Sequence, residues 1–212
     1  MNGGGMDRFL KEHPYVDYSS SNIQVKAKEL FSGANDPEDK AKIAYEFVRD
    51  RIPHSFDINA SVITARASAV LAAGTGICHA KANLLAALLR SADIPAGFCY
   101  QHLTLMDDDS RGYCVHCYNV VFLRDHWIFL DARGNKEGVD AQFSLGEPVL
   151  AFPCREEYDE YFWDGIYVSP QMHIMKMLDS SKTIQDVIDN LQDFIEGEPD
   201  VYPGKPLTDQ KS

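Results

Sequence analysis

Positive charge, long apolar runs and an even set of cysteines are scarce or missing in this chain of 212 residues. Lys and Arg number 20 against 32 Asp and Glu, which gives a net charge of −12. Because binding nucleic-acid phosphates requires clustered Lys and Arg, this balance argues against a nucleic-acid partner and also disfavours anionic membrane surfaces. No apolar run approaches the ~20 residues of a membrane-spanning helix. We therefore expect neither partner, and the sequence leaves the oligomeric state open.

The cysteines indicate a reducing environment. The N-terminal stretch from Met1 to Leu10 has no apolar core, so it does not read as a secretory signal. The cysteines are five in number: Cys78, Cys99, Cys114, Cys117 and Cys154. An odd count without a signal predicts reduced thiols and a cytoplasmic location, and makes one reactive thiol a reasonable expectation.

The chain length favours one domain with a sizeable core. We expect an N-terminal extension over 1–20, a single domain over 21–196 and a loose C-terminal tail over 197–212. Whether residues 1–5 are native is left open.

Helices dominate the first part of the chain. Helical patterns are predicted at 22–31, 37–52, 67–72 and 78–90. Asp36 is placed to cap the second of these helices, with Pro37 at its first position and Pro53 at its end. The helix over 78–90 is apolar almost all round, so it is predicted to lie buried in the middle of the domain.

Strands follow the buried helix. Runs rich in Val, Ile, Tyr, Phe and Trp predict strands at 98–105, 114–123 and 127–131. A two- or four-residue turn around Arg124-Asp125 would pair residues whose numbers sum to 249. A further strand is expected within 143–152, and further helices at 171–178 and 183–195. This order predicts an α+β fold in which the buried helix packs on an antiparallel sheet.

Cys78 has the setting of a nucleophile. It follows Gly76-Ile77 at the start of the buried helix, where free backbone N–H groups and the helix dipole favour a thiolate. The same N–H groups can stabilise an oxyanion when the thiolate attacks a carbonyl. The other four cysteines fall in strands or a loop. A buried structural thiol is the alternative interpretation of Cys78.

A thiolate nucleophile needs a base, and His116 is the candidate. In the register described above Tyr118 opposes Asp131, and His116 is the diagonal neighbour of Asp131 on the same face, ~7–8 Å away at the Cα. Asp131 is therefore placed to orient the imidazole. A core histidine bonded to a carbonyl, and an Asx turn at the strand end, are the alternatives for these two residues.

Four residues are weaker candidates for oxyanion or substrate binding: His54, Gln101, Arg133 and Asn135. The first two are candidate second oxyanion donors or else packing residues. The last two adjoin Asp131 and either bind a substrate carbonyl or carboxylate or stabilise their loop. His79 points about 100° away from Cys78 on the helix, which favours a surface or subsite role over catalysis.

No metal site and no cofactor is predicted. Cys114 and Cys117 face opposite sides of a strand, and no second ligand pair at zinc spacing accompanies them. The acidic run 107–109 lacks the spaced ligands and the acidic closing residue of a calcium loop, which favours a solvated turn.

Several of these motifs together resemble the transglutaminase-like superfamily. They are the run GICHAKANLLAALLR at 76–90, Ile94-Pro95-Ala96, the His116 strand, and Leu130-Asp131-Ala132. The resemblance covers roughly 41–135 and implies a papain-like core. It also implies a triad of Cys78, His116 and Asp131 that performs acyl transfer through a thioester. The sequence at 98–101 and 130–136 is similar to that of stand-alone, cytosolic bacterial members of the superfamily.

The resemblance implies a cysteine peptidase or amidase whose partner is a peptide or amide substrate. The chain is too short for the flanking β domains of animal transglutaminases, and it shows no counterpart of their calcium-binding apparatus. Water is therefore the expected acyl acceptor. Transfer of protein glutamine to an amine, and a non-catalytic peptide-binding domain of the same fold, are the alternatives.

Overall fold

The computed structural model describes residues 5–105 and 109–203. Six helices are described: α1 (Ser21–Leu30), α2 (Pro37–Arg51), α3 (Ala67–Ala73), α4 (Cys78–Ser91), α5 (Met172–Ser180) and α6 (Ile184–Asp189). The described strands are β1 (Ala96–Thr104), β2 (Tyr113–Leu123), β3 (His126–Leu130) and β4 (Tyr161–Phe162). Short 3-10 turns occupy Asp7–Leu10, Asp109–Arg111 and Glu156–Tyr158. Two residues of the predicted acidic turn, 107 and 108, lie outside the described residues.

The start of α2 is determined locally. The Asp36 carboxylate accepts hydrogen bonds from the backbone N–H groups of Glu38 and Asp39, both at 2.9 Å, and Pro37 takes the first helical position. The helix ends at Arg51, just before Pro53. The predicted helix and its cap are therefore confirmed.

Helix α4 lies in the centre of the fold. All of its residues from His79 to Arg90 are buried, as the sequence predicted for an apolar helix. Its attachment to the sheet includes a polar contact: the side-chain amide of Asn119 on β2 donates to the carbonyls of Ala82 on α4 (3.1 Å) and Gly97 on β1 (3.2 Å). This amide fixes the helix against two strands at once.

The strands form one antiparallel sheet in the order β3-β2-β1-β4. In the β2–β3 hairpin Asn119 pairs with Leu130 and Val120 with Phe129, so the predicted register is confirmed. Arg124 and Asp125 form the turn with positive φ angles of 51° and 63°. Two such residues give a tight turn whose twist matches that of the flanking strands.

The second half of the chain is less regular than predicted. The prediction of a strand within 143–152 is wrong, since the segment forms only one isolated bridge, between Gln142 and Val149. Gly146 and Pro148 disfavour a regular strand there. Helix α6 ends at Asp189 rather than near 195. The carbonyl of Gln192 instead accepts a hydrogen bond of 2.8 Å from the backbone N–H of Val115 at the edge of β2.

Residues near both ends of the described chain contact the domain. Phe9 is fully buried, with its ring 4.9 Å from that of Trp127, and Ile166 forms a bridge with Val201. The boundaries at 20 and 197 stay predictions. Within the described ranges, no helix combines the length and apolar character that crossing a bilayer requires.

Gly97 on β1 has no room for a side chain. A Cβ atom there would lie 2.7 Å from Ile166 Cγ2 and 3.0 Å from both Phe9 Cε1 and the Tyr167 carbonyl oxygen. We expect Gly97→Ala to lower the free energy of unfolding by about 1–3 kcal/mol through overpacking, measured by urea denaturation. Gly33→Ala is the matched control, because nothing lies within 4 Å of its Cβ position. Equal denaturation midpoints for the two variants would contradict the expectation.

Candidate active site

Cys78 begins α4, and its backbone N–H has a side-chain partner. Ile77 at the N-cap provides no side-chain hydrogen bond to the helix, but His54 Nε2 accepts the Cys78 N–H at 3.1 Å. His54 is held there because its segment runs beside Gly76 as a parallel bridge, with Ser55 N–H donating to Gly76 O at 3.1 Å. The structure therefore brings His54 to Cys78, the candidate nucleophile.

His116 and Asp131 form a buried hydrogen-bonded pair. His116 Nε2 lies 2.8 Å from Asp131 Oδ2, and the residues are 4% and 0% exposed. The carboxylate also accepts the backbone N–H of Ala151 at 2.9 Å and that of Arg133 at 3.1 Å. The Arg133 contact forms an Asx turn, so the same carboxylate both bonds the imidazole and makes the turn at the strand end.

The imidazole of His116 also interacts with the Cys78 side chain and shifts its pKa. Because Nε2 is engaged with Asp131, Nδ1 is the ring nitrogen left for the Cys78 sulfur. Burial opposes a thiolate, yet the charge and hydrogen bond of His116, together with the backbone N–H of Cys117, lower the pKa of Cys78. Burial likewise opposes protonation of His116, but Asp131 and Cys78 raise its pKa to about 10. The arrangement favours a thiolate–imidazolium pair.

The pKa values of the other four thiols are shifted upward, opposite to that of Cys78. Burial raises the pKa of Cys114 to about 12 and that of Cys154 to about 11, and it raises the pKa values of Cys99 and Cys117 as well. All five cysteines are free. Cys78 alone among the five has a lowered pKa, which makes it the candidate nucleophile.

The imidazole of His54 is neutral. Burial, reinforced by the charge of Arg133, holds the pKa of His54 well below its usual range. Two backbone N–H groups approach its ring: Cys78 N–H at Nε2 and Phe56 N–H at Nδ1, 3.3 Å away. A neutral imidazole has one ring lone pair able to accept, so these two groups compete for it.

Gln101 lies beside His116 and holds a loop. It is fully buried on β1, paired with His116 in the sheet register. Its side-chain nitrogen donates to Phe152 O at 2.9 Å and contacts Cys154 Sγ at 3.4 Å. These contacts fasten the loop at 152–154, while Phe152 packs edge-on against the His116 ring at 5.2 Å. An oxyanion role for Gln101 stays a prediction.

Arg133 and Asn135 contact their own chain. Arg133 forms a two-pronged ion pair with Asp57 at 2.5 and 2.8 Å. Asn135 binds the backbone N–H and carbonyl of Ala141 at 2.8 and 3.1 Å. Both contacts stabilise loops around Asp131, and their substrate-binding role stays a prediction.

His79 is not a surface residue, so the surface role expected for it was wrong, while a subsite role stays a prediction. It is 3% exposed, with Nε2 2.9 Å from the Val115 carbonyl, and burial lowers its pKa to about 3. The edge of β2 covers this face of the helix. The helical spacing of 100° directs His79 away from Cys78, but that spacing carries no information about the strand that packs on this side of the helix.

Asp57 is a site residue that sequence reasoning missed. It lies three positions after His54 and binds Arg133 and Lys136, the latter at 2.9 Å. Burial opposes its charge, yet Arg133 and Lys136 lower the pKa of Asp57 to about 2. No local pattern could have identified it, because its partners lie 76 and 79 positions away.

Comparisons with known proteins identify a family and similar folds. The model of the transglutaminase-like superfamily matches residues 24–132. The structure of a putative cysteine protease from Cytophaga hutchinsonii is similar, with a TM-score of 0.51 and 19% identity over 63% of this chain and 43% of that chain. A putative protease from Parabacteroides distasonis is similar with a TM-score of 0.41 and 15% identity, over 59% of this chain and 26% of that chain. This chain thus spans less than half of either relative, and no curated protein matches it.

The thiol pKa shifts predict selective alkylation. Cys78, Cys114 and Cys154 are all partly exposed, but only the first has a lowered pKa. At pH 6 we expect iodoacetamide to modify Cys78 at least about tenfold faster than the other two, followed by mass spectrometry of the labelled peptides. His116→Gln removes the imidazolium and should slow the reaction at Cys78. Equal labelling rates for the three thiols would disprove the thiolate assignment.

Proposed function

The chain belongs to the transglutaminase-like superfamily, and on that basis we propose that it is a cysteine peptidase or amidase acting on a peptide or amide carbonyl. The observation that carries the proposal is the arrangement of Cys78, His116 and Asp131, with the buried imidazole–carboxylate bond of 2.8 Å. The thiolate is the nucleophile, the imidazole transfers the proton, and the carboxylate orients the ring and stabilises its cation.

The proposed reaction proceeds in two halves. The Cys78 sulfur attacks the carbonyl carbon, and the tetrahedral intermediate collapses as His116 gives its proton to the leaving nitrogen. The C–N bond breaks, the amine departs and a thioester remains. His116, now neutral, takes a proton from water, whose oxygen attacks the thioester. The acid product leaves, and the thiolate–imidazolium pair is restored without any cofactor.

We assign His54 and the backbone N–H of Cys78 to the oxyanion. In the resting site His54 Nε2 accepts that N–H, so the proton of the neutral ring lies on Nδ1. A carbonyl oxygen arriving at the Cys78 N–H displaces Nε2 as acceptor. If the ring proton moves to Nε2, His54 donates to the oxyanion while Phe56 N–H takes the Nδ1 lone pair. Each tautomer therefore has a backbone partner.

The lowered pKa of Cys78 favours catalysis over a non-catalytic peptide-binding role, because binding alone does not require a thiolate. Water is the proposed acceptor, with amine transfer as the second candidate. The proposed location is the cytoplasm, which the five free cysteines support.

A screen of peptide and simple amide substrates tests this proposal directly. We expect hydrolysis by the wild-type protein and its complete loss in Cys78→Ala, with Cys114→Ala as the matched thiol control that keeps activity. Adding a primary amine should leave the acid as the main product, measured by mass spectrometry. Hydrolysis that persists in Cys78→Ala would refute the proposal, and a mainly amidated product would favour amine transfer.

The oxyanion assignment makes a separate prediction. His54→Ala should lower kcat by about 10²–10³-fold with little change in KM, because the lost hydrogen bond forms chiefly in the transition state. His54→Gln keeps a side-chain N–H donor and should recover part of the rate. An unchanged kcat in His54→Ala would exclude this residue from the oxyanion site.

A further inference from the structure

Lys81 is completely buried one helical turn after Cys78. Its ammonium group donates to the carbonyl of Ile52 and, at 3.5 Å, to the carbonyl of Arg49. Both described hydrogen bonds of this cation therefore end on carbonyls, not on carboxylates. An unpaired ammonium is costly to bury, and a Leu or Ala would suit an apolar helix better. A buried cation at this position calls for a physical explanation.

The two carbonyls belong to the end of α2. The last carbonyls of a helix lack partners within it, and the next residue after Ile52 is Pro53, which has no N–H to offer. A cation at a helix C-terminus also interacts favourably with the helix dipole. Lys81 therefore supplies the last carbonyls of α2 with a hydrogen-bond donor that the local sequence lacks.

The end of α2 leads directly into the His54 segment. Ile52 precedes His54 by two residues, and the Pro53 carbonyl between them accepts a hydrogen bond of 3.0 Å from Thr75 Oγ1. The chain from 52 to 54 is thus held on one side by Lys81 and on the other by the loop before Cys78. The attached carbonyls of Ile52 and Pro53 both lie within two residues of His54, whose Nε2 accepts the Cys78 N–H.

We propose that Lys81 is a positioning residue: its ammonium group holds the carbonyls at the end of α2 and thereby keeps the His54 ring at the backbone N–H of Cys78. This inference rests on the proposed cysteine chemistry for its catalytic meaning. Its structural content, a link from Lys81 through the 52–54 segment to the Cys78 amide, can be measured without a substrate.

The charges around Lys81 come from three parts of the fold. Arg133 and Asp131 follow β3, Asp57 lies in the loop after His54, and Asp50 lies on α2. Burial, with the charge of Arg133, lowers the pKa of Lys81 to about 7 although the three carboxylates oppose this. A charged donor makes stronger hydrogen bonds to carbonyls than a neutral amine. The two hydrogen bonds from Lys81 are therefore strongest below pH 7, where the ammonium is charged, although charging this buried group also lowers the free energy of unfolding.

Hydrogen exchange at the Cys78 amide tests the link. In Lys81→Met, a substitution of similar length without the charge, we expect this amide to exchange about tenfold faster than in the wild type at pH 6, measured by NMR. Lys42→Met, an exposed lysine on α2, is the matched control and should not change the rate. If the Cys78 amide accelerates no more than the Leu84 amide within the same helix, the effect is general destabilisation and the proposal is overturned.

A titration of the wild-type protein avoids substitution altogether. The proposal expects the Lys81 Cε resonance and the Cys78 amide resonance to shift together between pH 5.5 and 9, with a common midpoint near 7. The midpoint at the Cys78 amide should disappear in Lys81→Met. A Cys78 amide that shows no transition while Lys81 titrates would overturn the link.

Kinetic measurements on a substrate whose hydrolysis requires Cys78 separate this inference from the proposed function. Lys81→Met should lower kcat about tenfold with KM unchanged, and should cost nothing further in a His54→Ala background, because one effect acts through the other. Full additivity of the two substitutions would overturn the positioning role. If the proposed function is wrong, the activity will not depend on Cys78. The amide measurements need no substrate, so they still test the positioning role of Lys81.

Discussion

A single buried carboxylate, Asp131, organises the site. With no exposure to water it must find all its hydrogen bonds inside the protein, and it does so from His116, Ala151 N–H and Arg133 N–H. These three donors belong to β2, to the loop that lies over the site and to the chain after β3. The charge of His116 is the largest favourable contribution that keeps Asp131 ionised against its burial, so carboxylate and imidazolium each require the other.

The site also joins two layers of the fold. Cys78 and His54 belong to the helical side, while His116 and Asp131 belong to the sheet. The Arg133–Asp57 ion pair crosses between them, from the chain after Asp131 to the loop after His54. The same arginine helps keep His54 neutral. A substitution at either residue of this pair would therefore change the relative placement of the layers and the protonation of the oxyanion candidate together.

Local patterns carried much of the correct prediction from sequence. Asp36 and Pro37 mark the start of a helix because the cap contacts lie within three residues, and the β2–β3 register follows from a turn of two residues. These facts sufficed to place His116 beside Asp131. The remainder depends on contacts between distant segments. The burial of Lys81 could not be predicted locally, because its partners at the end of α2 are 32 and 29 positions away. Strand β4 has only two residues, too few for a periodic pattern.

The tight turn at Arg124-Asp125 has a consequence for how such a chain can diverge. Side chains alternate between the faces of a sheet, so inserting or deleting one residue between β2 and β3 moves every later side chain of the hairpin to the other face. Asp131 would then point away from His116. Solvent exposure alone would permit insertions and deletions of any length at this surface turn. Because an odd change moves Asp131 to the other face, only changes of two residues at a time keep the carboxylate beside the imidazole.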